Sequence, residues 1–148
     1  MSAISSPDLP AREALRSFRE ANGLCDDEHG RVWKIPIDFV TLYLPNFRWR
    51  REALAAHDLH HLLTGYPCTV KGELLIAAWE FGAGSYPHWG ATLFCLPLAL
   101  TGLLWFPREA VEAFRRGRRS RSLFAAEVRG QLAVMRLSEV EAVVRRGL

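Results

Sequence analysis

Apolar residues recur at helical spacing along most of this chain. Leu9, Leu15 and Phe18 mark a first helix that Ser6-Pro7 opens, as N-cap and Pro at N1, and Asn22-Gly23 stops. Asp26–Gly30 reads as a polar turn. Val32, Trp33, Ile35, Ile37, Phe39, Val40, Leu42 and Leu44 follow, broken by Pro36 and Pro45; their β-branched content permits a short strand as well as a helix. Two helices are then expected over 49–63 and 70–82, with Gly65 and Pro67 punctuating the turn of a helical hairpin. The stretch from Trp89 to Phe106 carries no charge and is expected to be a core helix, apolar all round because it is enclosed, with a helix that lines a prenyl tunnel or dips into the membrane interface as the alternative. Its apolar length approaches a membrane span, but Pro97 and the lack of a preceding basic pair argue against spanning. Pro107 starts another helix, with Glu109 in its first turn and Arg116 in its last, as the helix dipole favours. Ser138 with Glu141 forms a capping box for a last short helix carrying Val140, Val143 and Val144. The sum is an all-α chain: a single compact helical domain spanning 1–148.

The hairpin carries the chemistry. His57 and His61 lie four apart and project from one helix face; Asp58 sits about 100° round the axis, on the same broad face. Glu73 opens the next apolar-periodic stretch, so the hairpin brings it back against the histidines. The pattern is HDxxH-x11-E. Two neutral imidazoles and two carboxylates balance one divalent cation, and His57, Asp58, His61 and Glu73 read as a metal site. The same residues would also serve as a polar cluster, with Asp58 paired locally and Glu73 a first-turn carboxylate. His60 points off the face and reads as a spectator. Asp58 is shorter than the glutamate that acts as base in HExxH sites, which suits ligation or orientation of a histidine. Zinc, iron or manganese would each fit, with catalytic positions left open.

The run His57-Asp58-Leu59-His60-His61-Leu62-Leu63-Thr64-Gly65-Tyr66, with Gly72-Glu73, resembles the Coq-four family of ubiquinone (coenzyme Q) biosynthesis proteins, whose signature is HDxxH-x11-E. Ala113-Phe114-Arg115-Arg116-Gly117-Arg118-Arg119 is similar to the family's late basic helix; Pro36–Trp49 departs from its pattern. The resemblance covers residues 31–146. It implies an all-helical protein holding one divalent metal ion through His57, Asp58, His61 and Glu73. It also implies a prenylated aromatic or prenyl-lipid ligand, and attachment to other quinone-biosynthesis proteins. The implied activity is a metal-dependent, oxidative decarboxylation at C1 of the ring, with His57, Asp58, His61 and Glu73 as catalytic residues. The alternative the family offers is a non-catalytic prenyl-lipid-binding scaffold. A metal-dependent hydrolase fits the ligand types too, but no Ser or Lys companion supports it.

Composition narrows the setting. The chain is 49% hydrophobic with mean hydropathy near zero, which leaves apolar residues for a ligand cavity or membrane contact. Cys25, Cys68 and Cys95 form no metal or redox motif, as expected in a reducing compartment. Residues 1–20 lack a signal-peptide core, and Asp8, Glu13 and Glu20 argue against a transit peptide. A cytoplasmic location follows as the expectation, with peripheral contact at the inner face of the cytoplasmic membrane and room for a homodimer. Arg115, Arg116, Arg118, Arg119 and Arg121 make a basic run, read as a solvated helix end or a site for an anionic group. Net charge is only +3, and Glu109, Glu112 and Glu127 flank the run, so no nucleic-acid partner is expected.

Overall fold

The computed structural model describes residues 8–24, 30–37, 40–84 and 86–145. The Ser6-Pro7 helix start, Cys25 and most of the Asp26–Gly30 turn lie outside the described residues. The fold is all-α, with seven helices among the described residues: α1 (Ala11–Ala21), α2 (Arg48–Thr64), α3 (Val70–Ala83), α4 (Trp89–Trp105), α5 (Pro107–Arg118), α6 (Ala126–Gln131) and α7 (Leu137–Arg145). The ambiguous stretch after residue 30 forms a β-hairpin. Strand β1 (Val32–Ile37) pairs antiparallel with β2 (Val40–Pro45), in the register Val32↔Pro45 to Ile37↔Val40.

Helix α3 is the centre. It buries Leu74, Leu75, Ile76 and Trp79, each contributing about 1.5–3 kcal/mol of apolar burial, and it packs against both α4 and α5. Small residues allow the closest approach: a Cβ at Gly117 of α5 would lie 2.0 Å from the Trp79 carbonyl oxygen. Helix α1 packs on α2, and the chain ends are tied by Ala11 N–H donating to Met135 O and Leu137 N–H donating to Leu9 O, both at 2.9 Å.

The structure revises two sequence expectations. Leu137 already opens α7, so Ser138 lies inside the helix; Glu139, not Glu141, accepts from a preceding backbone amide, Arg136 N–H, at 2.7 Å. More consequentially, α4 is not enclosed. Ala91 and Gly102 are buried, whereas Trp89, Leu93, Leu96, Leu100, Leu103, Leu104 and Trp105 are exposed, Leu104 at 79%. Lack of charge cannot distinguish an enclosed helix from one that turns its small residues inward and its large ones outward. No described helix is long and apolar enough to cross a membrane.

Candidate metal centre

The predicted hairpin forms within a residue or two of its expected bounds. Gly65 ends α2 in the left-handed conformation, φ 78°, with its N–H donating to His61 O. Thr69 caps α3, its hydroxyl accepting from Gly72 N–H at 3.2 Å. A Cβ on Gly72 would fall 1.8 Å from Pro67 O, so only glycine lets the turn lie this close to α3. Glu73 is thereby held in the first turn of α3, facing α2.

Three of the four expected ligands converge. His57 Nε2 lies 3.4 Å from Glu73 Oε2, His61 Nε2 lies 3.2 Å from Glu73 Oε1, and the three donor atoms lie within 4.8 Å of one another. Donors on a tetrahedral ion with bonds of about 2.0–2.1 Å stand roughly 3.3 Å apart, so the two nitrogen–carboxylate spacings suit a cation. Each imidazole turns its other nitrogen away: His57 Nδ1 meets Glu80 Oε1 at 2.9 Å, and His61 Nδ1 meets Tyr66 O at 2.9 Å. A carbonyl only accepts, so His61 Nδ1 donates and its Nε2 keeps the lone pair in the neutral ring. That Nε2 is buried and has no hydrogen-bond partner, Glu73 being close but out of line. A buried polar atom left unpaired is costly unless something binds it. The group His57–His61–Glu73 can therefore hold a metal ion.

Asp58 stands outside that group. Its Oδ2 accepts from Arg19 Nε at 2.7 Å, and both side chains are about nine-tenths buried. Phe18 stacks on His61 with ring centroids 6.4 Å apart, so α1 braces the ligand helix at two adjacent residues.

Sequence reasoning missed Glu80 and misjudged His60. Glu80 is fully buried; its Oε1 receives His57 Nδ1 and His60 Nδ1, at 2.9 and 2.8 Å, and its Oε2 accepts from Tyr86 OH at 2.8 Å. His60 Nε2 accepts from Leu123 N–H at 3.0 Å, which fixes that ring as neutral with its proton on Nδ1. The available signal was a second carboxylate on α3, two turns beyond Glu73 and otherwise among apolar residues.

Burial works against charge on His57, but Glu80 and Glu73 outweigh it and lift its pKa well above 6.5. Burial alone would raise Glu73; the neighbouring His57 overrides it and holds the carboxyl down at about 2. Glu80 is likewise held well below the ordinary carboxylate range by His57 and His60, against the opposing effect of burial. Without a metal, a proton on His57 takes the cation's place between two carboxylates. Burial and nearby carboxylates push the Cys68 and Cys95 thiols each up to about 11, and neither joins the converging group.

Two open clefts lie elsewhere. One of about 450 Å³ is lined by Pro107, Arg108, Val111, Glu112 and Arg115; one of about 230 Å³ by Arg48, Trp49, Glu52, Pro87, His88 and Arg129. Neither is lined by the three converging residues. Within the basic run, all five arginines are exposed, and Arg116 bonds Tyr66 OH and Thr64 O, clamping the hairpin turn to α5. Comparison with protein-family models, with curated proteins and with solved structures returned no match.

Proposed function

We propose that this protein holds one divalent cation between His57, His61 and Glu73 and acts in ubiquinone biosynthesis on a prenylated aromatic acid, supporting loss of the ring carboxyl at C1. The observation that carries the metal is the pair of imidazoles whose Nδ1 atoms are engaged while both Nε2 atoms face one carboxylate, His61 Nε2 being buried and unpartnered. The pathway rests on the resemblance of His57-Asp58 through Gly72-Glu73 to the quinone-biosynthesis signature. A bound zinc, iron or manganese ion would supply Lewis acidity toward the ring carboxylate and the charge left as CO₂ departs. His57 and His61 contribute neutral nitrogen donors of fixed orientation, and Glu73 contributes charge. Arg19 and Asp58 keep α1 against the ligand helix. The test is turnover of a prenylated hydroxybenzoic acid by metal-loaded protein. CO₂ release that is lost in Glu73→Ala while the fold survives supports the reading; no release by the loaded wild type contradicts catalysis.

The outer face of α4 favours a second, non-exclusive reading: a lipid-presenting scaffold seated on a bilayer leaflet, where it would meet other quinone-biosynthesis proteins. Seventeen residues with no charge turn Leu93, Leu96, Leu100, Leu103 and Leu104 outward, and exposed Trp89 and Trp105 stand at the two ends. Indole rings favour the bilayer interface, and a helix lying in that plane buries one apolar face among acyl chains. The exposed arginines of α5 and the turn beyond suit anionic headgroups.

A further inference from the structure

A divalent cation held by two neutral imidazoles and Glu73 alone keeps one uncompensated positive charge. Asp58, the obvious second carboxylate, already faces Arg19 at 2.7 Å. Glu80 supplies the other negative charge, one residue further out. Its carboxylate is walled in by three donors from two parts of the chain: His57 and His60 on α2, and Tyr86 before α4. Two of these are fixed independently of His57. Leu123 N–H occupies His60 Nε2, so His60 must donate from Nδ1, and the Tyr86 hydroxyl holds the second oxygen. The carboxylate cannot swing away, and His57 Nδ1 has only an acceptor to face. A histidine with its Nδ1 proton given to a carboxylate presents Nε2, with raised basicity, to whatever lies beyond. Beyond it lies Glu73, 3.4 Å away.

We infer that Glu80 is a positioning residue of this metal site, fixing the Nδ1–H form of His57 and strengthening its Nε2 as a ligand, with His60 and Tyr86 holding Glu80 in place. This rests on the metal reading of His57, His61 and Glu73. It makes His60 a support of the site without making it a ligand. Sequence spacing alone hides the relation, because Glu80 lies outside the recognised motif.

The test compares Co²⁺ binding by wild type, Glu80→Gln and Tyr86→Phe, followed by visible absorption at fixed pH. Long-range ¹H–¹⁵N spectra of the zinc forms report the protonated nitrogen of His57. Glutamine keeps the size of Glu80 and an oxygen able to accept from both histidines, but removes the charge. Glu80→Gln is expected to bind cobalt 10- to 100-fold more weakly with an altered d–d spectrum, although its circular dichroism matches wild type. Tyr86→Phe, which keeps the charge and loses one anchor, is expected to bind several-fold more weakly and to serve if the glutamine variant fails to fold. Wild-type affinity, spectrum and His57 signals in both variants would overturn the role of Glu80 and leave the metal site standing. Wild type that binds no cobalt would overturn the metal reading itself, and this inference with it.

Discussion

Arg19 Nε and Asp58 Oδ2 stand 2.7 Å apart in the interior, joining α1 to the helix that carries His57 and His61. A buried ion pair holds both charges so long as neither partner is removed, and loss of one leaves the other unpaired in a poor solvent. Asp58→Ala is therefore expected to cost about 3 kcal/mol of stability, read as a lowered denaturation midpoint. It should leave metal stoichiometry unchanged. Loss of the metal from a variant that still folds would instead make Asp58 a ligand.

That pair also shows how far the sequence could be read. The periodicity and the Gly65/Pro67 punctuation located the hairpin, and the histidine spacing with Glu73 located the converging donors. What spacing could not show was competition: Asp58 has two candidate partners, and only the packing of α1 selects Arg19. The same limit applies to Glu80, whose apolar neighbours hide it until the helices meet. For helix α4 the sequence leaves an enclosed and an outward-facing helix both open, for a different reason. A run without charge reports low polarity but not direction, and burial of Ala91, and of Gly102 against Leu74 of α3, leaves the large side chains outside.

Protons and metal should compete at His57. Its raised pKa means that, in the metal-free protein, the stability it contributes is fully present below about 6.5. That contribution is lost as pH rises through the higher folded value. Glu73 has the opposite sign: its contribution is present above about 4.5 and is lost as pH falls toward about 2. Metal-free protein should thus lose stability on both sides, and zinc should remove the alkaline loss. Zinc uptake near neutrality should release about one proton, measurable by calorimetry in buffers of different ionisation enthalpy. Uptake with no proton release would contradict the charged His57.

Gly72→Ala tests the turn geometry. The new methyl group would meet the Pro67 carbonyl at 1.8 Å, so the loop or the start of α3 must move, and Glu73 with it. Overpacking of this kind costs about 1–3 kcal/mol. A lower melting temperature together with weaker zinc binding is expected; unchanged values in both would mean that the turn yields without moving Glu73.

For the outer face of α4, Leu100→Asp and Leu104→Asp introduce charge at exposed positions, so the fold should persist. Wild type is expected to co-sediment with vesicles containing phosphatidylglycerol and to show blue-shifted tryptophan emission, and the double variant to lose both. A concentration-dependent dimer that the double variant abolishes, with no vesicle binding by wild type, would assign the face to a second copy instead.

The most direct measurement is the metal content of protein purified without chelator or nickel affinity resin, beside the His57→Ala/His61→Ala double variant. About one equivalent of zinc, iron or manganese in wild type, absent from the folded double variant, is the expected result. No metal above background in wild type, and none taken up on addition of zinc, iron or manganese, would contradict the central claim and leave His57, His61 and Glu73 as a polar cluster of the core.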